Sequence, residues 1–264
     1  MHNPTGHAMS ALDLFRLDGK VALVTGASRG LGRAMGLALA EAGADVAAVG
    51  RDPTTLGRFA EDVRSLGRDC LALAADLGER GAALRVVAEA SAWKGHVDVL
   101  LNNAGTVARA SVLEVTDDEW DQVVGLNLNA AFRVAQATAR GMAAQGSGKI
   151  INIGSVNSVL GAKNVVPYAA SKGGILQVTR AMANELGASG VQVNCILPGY
   201  FDTDLTQALR DDAERYEQIL ARTPAGRWGR PDDLAGAVVF LASGASDYVT
   251  GTALAVDGGF MISA

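Results

Sequence analysis

The chain has 264 residues, a length that suits one large α/β domain better than two average ones. Its 23 Lys plus Arg against 28 Asp plus Glu leave a net charge of −5, which argues against nucleic acid and anionic membrane as partners. With 49% hydrophobic residues, 5% aromatics and 32 glycines, the composition excludes disorder and points to a core of small and branched aliphatics with many tight turns.

Residues 1–13 read as a leader outside the folded body, without fixed order, and residues 14–264 as the domain. MHNPTGHAMS lacks a basic start followed by an apolar core, and no long uncharged apolar stretch follows, so a cytoplasmic setting is the expectation. His2 and His7 fall in the leader, which leaves His96 as the single histidine of the body and makes histidine-dependent hydrolysis and zinc chemistry poor readings. No metal site is expected. Cys70 and Cys195 each sit in an apolar run and read as buried, unpaired thiols.

From Val21 onward, short apolar runs alternate with helix-length segments. Strands are expected at Val21–Thr25, Asp45–Val49, Cys70–Ala75, Val97–Leu101, Lys149–Ile153, Val191–Leu197 and Thr252–Val256. Helices are expected near 31–42, 54–66, 79–93, 117–144, 168–187 and 232–242, with start signals at Asp52-Pro53, Thr116 and Arg230-Pro231-Asp232. Such alternation predicts a Rossmann-type α/β fold: one doubly wound parallel sheet of about seven strands, flanked by helices on both faces. The segment 199–228 breaks the rhythm and reads as a small substrate-binding insertion after the sixth strand.

The first strand runs into TGASRGLG, Thr25 to Gly32, which opens a helix. Its three glycines, Gly26, Gly30 and Gly32, let backbone approach a pyrophosphate at the positive end of the helix dipole. At the end of the second strand, where an acid would bond a ribose 2′-hydroxyl, stands Gly50, followed by Arg51. The Arg51 guanidinium suits a 2′-phosphate and Arg29 adds a second cation, so NADP(H) is expected over NAD(H). Further along, YAASK sets Tyr168 and Lys172 four residues apart, on one face of a helix. Alone, that pair reads equally as a tuned phenol or as two solvated side chains.

Together these features resemble the short-chain dehydrogenase/reductase family over residues 17–260. The resemblance rests on TGASRGLG, Asp76-Leu77, NNAG at 102–105, Asn127 in GLNLN, Ser155, YAASK, and Pro198-Gly199 followed by Thr203. It implies that Gly26, Ser28, Arg29, Gly30, Leu31, Gly32 and Arg51 hold the nucleotide phosphates. Asp76 and Leu77 would meet the adenine, while Asn103, Ala104 and Gly105 support sheet and cofactor. Pro198, Gly199 and Thr203 would lie at the nicotinamide, and Tyr168 and Lys172 serve both cofactor and catalysis. Asn127, Ser155, Tyr168 and Lys172 form the implied catalytic tetrad, acting by hydride transfer between a secondary alcohol and a ketone. In that chemistry a phenol near 10 needs nearby positive charge, from Lys172 and an oxidised nicotinamide ring, to act as a base. Asn127, in a long helix expected to be locally disturbed there by its side chain or a water, is the implied proton relay from Lys172 to solvent. The resemblance also implies a homotetramer built on helices 117–144 and 168–187 and on the last strand.

The C-terminal half is most similar to gluconate-type dehydrogenases, whose substrates are small sugar acids, although Gly50-Arg51 departs from the NAD preference expected of them. A carboxylate-bearing substrate needs a cation, and Arg109 and Lys163 are the candidates, with Tyr200 a further substrate contact. The alternatives are an NADPH-dependent 3-oxoacyl-carrier-protein reductase, a broad-range carbonyl reductase, or a non-catalytic nucleotide-binding regulator.

Overall fold

The computed structural model describes residues 10–263, so most of the expected leader lies outside the described residues; Asp13–Phe15 already form a helical turn. Strand β1 (Val21–Thr25) is buried at every position and pairs in parallel with β2 (Asp45–Gly50) on one side and β4 (Val99–Asn102) on the other. With β3 (Cys70–Ala74), β5 (Gly148–Ile153), β6 (Val191–Pro198) and β7 (Ala253–Val256), the sheet order is β3-β2-β1-β4-β5-β6-β7. The order reverses between β1 and β4, and the register sets Thr25 beside both Val49 and Asn102. A crevice opens beyond the strand ends at such a reversal, which is where a parallel sheet binds its ligand.

Strands apolar on both sides require cover on both. Helices α1 (Gly30–Glu41), α2 (Pro53–Ser65) and α9 (Ala235–Ala242) pack Met35, Leu39, Phe59 and Leu241 against Val24 on one face. Helices α3 (Ala82–Lys94), α5 (Ala131–Gln145) and α6 (Val166–Leu186) pack Val86, Val134 and Ala183 against Leu23 and Val49 on the other. The start signals act as expected: Asp52 accepts from Thr54 N at 2.8 Å, and Thr116 forms a reciprocal capping box with Glu119 at the head of α4 (Asp117–Val124).

The helix expected over 117–144 reaches Gln145 but is not uniform. A π-helical turn at Gly125–Ala130 separates α4 from α5, centred on Asn127. Cys70 and Cys195 are buried and free. His96 bonds Asp98 and the Lys94 carbonyl, a structural use. No helix among the described residues is long and apolar enough to cross a membrane.

After β6 the chain leaves the sheet through α7 (Gln207–Arg210) and α8 (Ala213–Ala221), and a parallel bridge from Phe201 to Gly229 closes this lobe. Tyr216 stacks on Trp228 with centroids 5.5 Å apart, and Tyr200 meets Trp228 and Phe260 edge-on. Ile219, Trp228 and Phe260 bury against Val156, the neighbour of Ser155. At about 1.5–3 kcal/mol for each large apolar side chain buried, this cluster fixes the lobe over the strand ends.

Candidate active site

A cleft of about 730 Å³ runs along the C-terminal ends of β1, β2, β4, β5 and β6. At one end lies the glycine turn. Gly26 (φ +66°) and Gly30 (φ +54°) take left-handed backbone, and a Cβ on Gly32 would stand 2.2 Å from both Gly26 O and Asn103 Nδ2. No side chain caps the N-terminus of α1, so its first amides face the cleft without a side-chain acceptor. Asn103 Nδ2 donates to the carbonyls of Thr25 and Gly26, both at 3.2 Å, while the Thr25 hydroxyl accepts from the amides of Asn103 and Ala104. The NNAG segment thereby braces the turn. A cradle of this shape, open at Gly30 and closed at Gly32, fits a pyrophosphate.

Around that end the cleft is lined by Ser28, Arg29, Leu31, Arg51, Asp76 and Leu77. Arg51 is exposed, and Gly50 beside it presents no carboxylate. Arg29 lies 3.9 Å from Asp204 of the lobe, both side chains well exposed. Toward the other end come Ala104, Gly105, Ser155, Tyr168 and Lys172, then Pro198, Gly199 and Thr203. Arg109, Lys163 and Tyr200 line the same space. Of the expected site residues Asn127 alone does not line the cleft; it is buried beneath it, 2% exposed.

Asn127 nevertheless organises what lies above. Its Oδ1 accepts from Thr106 N and its Nδ2 donates to Thr106 O, both at 2.8 Å, and Nδ2 also reaches Ser171 Oγ at 3.2 Å. Ser171 in turn donates to the Tyr168 carbonyl at 2.7 Å. On the other side, Ser158 accepts from Ser155 N at 3.1 Å and donates to the Lys172 carbonyl at 2.7 Å. Two serines thus tie Asn127 and Ser155, the ends of the expected tetrad, to α6. Ser158 carried no signal in the sequence, and Ser171 stood inside YAASK unremarked. A Cβ on Gly105 would lie 3.1 Å from Asn127 Oδ1 and 3.7 Å from Lys172 Nζ, which explains a glycine there.

The Tyr168–Lys172 relation differs from the expectation. Lys172 is buried and its ammonium donates to the Ile153 carbonyl at 2.7 Å, 5.6 Å from the centre of the Tyr168 ring. Desolvation brings its pKa down to about 8. The Tyr168 phenol is not lowered by the chain itself: its depth in the cleft wall raises its pKa, opposed by the Ser155 hydroxyl and then by the Arg109 guanidinium. Among the nearby cations, the Arg109 guanidinium opposes that rise without overcoming it. The Asn127 side chain is itself fully engaged, its oxygen and nitrogen both bonded to protein groups.

Sequence reasoning missed Arg215, which lies on α8 and lines the cleft; it sits in an ordinary amphipathic pattern with nothing to mark it.

The family model described as "Enoyl-(Acyl carrier protein) reductase" matches residues 26–261. A 2-dehydro-3-deoxy-D-gluconate 5-dehydrogenase of Pseudoalteromonas atlantica is 48% identical over 95% of this chain and 99% of its own. A gluconate 5-dehydrogenase of Gluconobacter oxydans is 42% identical over 97% of this chain and all (100%) of its own. Among solved structures, a gluconate 5-dehydrogenase from Burkholderia cenocepacia in complex with NADP and tartrate superposes with a TM-score of 0.93 at 43% identity, covering 97% of this chain and 100% of that one.

Proposed function

Because the chain belongs to the short-chain dehydrogenase/reductase family of oxidoreductases, we propose that it interconverts a secondary alcohol and a ketone on a small sugar acid, with NADP(H) preferred to NAD(H). The observation that carries the reading is the convergence of Ser155, Tyr168 and Lys172 with the glycine cradle in one cleft, ringed by Arg109, Lys163 and Arg215.

A bound nicotinamide nucleotide supplies the hydride for reduction, or accepts it for oxidation. The glycine turn and the N-terminus of α1 would hold its pyrophosphate, Arg29 and Arg51 a 2′-phosphate, and Asp76 and Leu77 its adenine. The chain does the rest. In reduction Tyr168 gives its proton to the carbonyl oxygen as negative charge grows there, and Ser155 donates a hydrogen bond to the same oxygen. In oxidation the Tyr168 phenolate takes the alcohol proton. With the phenol raised by burial, positive charge near the ring must offset that rise, and Arg109 contributes. Lys172 holds a proton nearby at a pKa of about 8, close to the working range. Asn127 acts as a positioning residue, holding the π turn and the Ser171 link. Arg109, Lys163 and Arg215 are the cations at hand for a carboxylate, with Tyr200 as a wall.

Residues 199–228 form the lobe that shapes the substrate end. The assembly is read as a homotetramer: Trp120 and Phe132 lie 40% and 38% exposed on α4 and α5, and Tyr248 and Ile262 are fully or nearly exposed near the C-terminus. A monomeric mass by light scattering overturns that part.

The test is the loss of reduced-nicotinamide absorbance with NADPH and with NADH, each against 5-ketogluconate, an acetoacetyl thioester and a simple diketone. Oxidation of NADPH confined to the sugar acid is expected; turnover of the thioester or diketone alone overturns the substrate reading.

A further inference from the structure

The lobe contributes four arginines, and three of them are spent. Arg210 pairs with Asp202 at 2.8 Å, Arg227 pairs with Asp233, and Arg222 lies over the Phe260 ring at 4.5 Å. Arg215 is different. Among the described residues its guanidinium meets only the neutral Gln218 Oε1, at 3.1 Å, and it is the one lobe arginine that lines the cleft.

Its carrier is rigid. Helix α8 is capped by Asp212, which accepts from Arg215 N, and it is pinned by Ile219 in the buried cluster and by Tyr216 stacked on Trp228. That same cluster includes Val156, next to Ser155, so the position of Arg215 is tied through packed side chains to the catalytic serine. The other cleft cations have different surroundings. Arg109 donates to the Leu205 carbonyl at 3.3 Å and acts on the Tyr168 phenol, which assigns it to the reacting end. Arg29 and Arg51 belong to the nucleotide end. Lys163, exposed as Arg215 also is, carries a flexible ammonium without a fixed fork. A carboxylate several bonds from the carbonyl calls for a planar, preorganised donor away from the reacting atoms.

We propose that Arg215 is the specificity-determining residue that receives the carboxylate of the substrate, distinguishing a sugar acid from a neutral polyol ketone of the same shape. This rests on the sugar-acid reading above. The lobe thereby recognises charge at the end of the substrate remote from the chemistry.

The experiment compares 5-ketogluconate with its methyl ester, which keeps the carbon chain and removes the charge, on the wild type, Arg215→Gln and Arg215→Lys. In the wild type the ester is expected to have a KM about tenfold higher than the acid, the range of one charge-assisted hydrogen bond in a half-open site. Arg215→Gln is expected to raise the KM of the acid to that of the ester with a much smaller effect on kcat, and Arg215→Lys to restore part of the difference. A merely structural role would shift acid and ester alike. If Arg215→Gln keeps the preference for acid over ester while Arg109→Gln or Lys163→Gln abolishes it, the assignment is wrong and the sugar-acid reading stands. If the wild type handles acid and ester equally, the assignment also fails. If neither is turned over while another ketone is, both the assignment and the sugar-acid reading fall.

Discussion

The Lys172 ammonium donates to the Ile153 carbonyl at 2.7 Å while buried at 5% exposure, with no carboxylate among the described residues paired to it. Its pKa falls to about 8 from 10.5, so above pH 8 the folded chain loses this proton while an unfolded chain keeps it up to about 10.5. In that window the unfolded state binds more protons, so the contribution of this group to stability rises with pH. The charge facing an anionic nucleotide falls over the same window. The difference in melting temperature between wild type and Lys172→Gln should therefore move in favour of the wild type as pH rises through about 8, while NADPH affinity of the wild type weakens and that of the variant stays flat. Parallel melting scans and fluorescence titrations across the window check both slopes; slopes of the same sign would contradict the assignment.

Tyr168→Phe removes one oxygen and keeps the ring against which Lys172 lies. The proton for the substrate oxygen is then missing, so kcat should fall by at least about 10²–10⁴, the usual worth of a general acid or base. NADPH binding, measured by fluorescence, should change by no more than about twofold, since the phosphate cradle is untouched. A variant that turns over within a factor of ten would mean that another group supplies the proton.

The parts of this molecule that sequence made legible are those written in local chemistry. Apolar runs between helical patterns gave all seven strands within a residue or two, because strands buried on both faces tolerate few polar residues. The glycine turn, and the gathering of Ser155, Tyr168 and Lys172 in one cleft, were readable because each needs particular residue types in order along the chain. Three things were not. A local disturbance of the helix at Asn127 was expected, but not its form: the π turn at Gly125–Ala130 goes with Asn127 capturing Thr106, a pairing across 21 residues. The direction of the Tyr168 shift depends on burial, which spacing does not encode. Arg215 differs from Arg210, Arg222 and Arg227 only in what lies opposite it, and only the folded lobe reveals that.

Gly32→Ala tests the cradle. The added methyl would lie 2.2 Å from Gly26 O and from Asn103 Nδ2, and the first of these is backbone that cannot swing aside. Overpacking of this kind costs about 1–3 kcal/mol, and here the shift must be absorbed by the phosphate turn itself. Urea unfolding should show a lower midpoint, and NADPH affinity should fall by more than the stability loss alone would cause. Retained wild-type affinity would mean that the nucleotide does not approach this turn.

Cofactor choice turns on two neighbouring positions. Arg51 offers a planar guanidinium at the end of β2, and Gly50 leaves out the carboxylate that would bond a ribose 2′-hydroxyl and repel a 2′-phosphate. Arg51→Ala should raise KM for NADPH by about tenfold and leave KM for NADH within about twofold, because a charged hydrogen bond to the 2′-phosphate is lost and nothing on NADH is. Adding Gly50→Asp to Arg51→Ala should invert the preference. A Cβ at position 50 would meet Leu56 Cδ1 and Ser28 Oγ at 3.3 Å each, tight but against side-chain ends that can give. The new carboxylate then faces the ribose without backbone strain, since Gly50 is not among the positive-φ glycines. Steady-state kinetics with both nucleotides decide it. If Arg51→Ala raises both constants together, Arg51 supports the turn rather than reading the phosphate, and Arg29 becomes the sole candidate for that role.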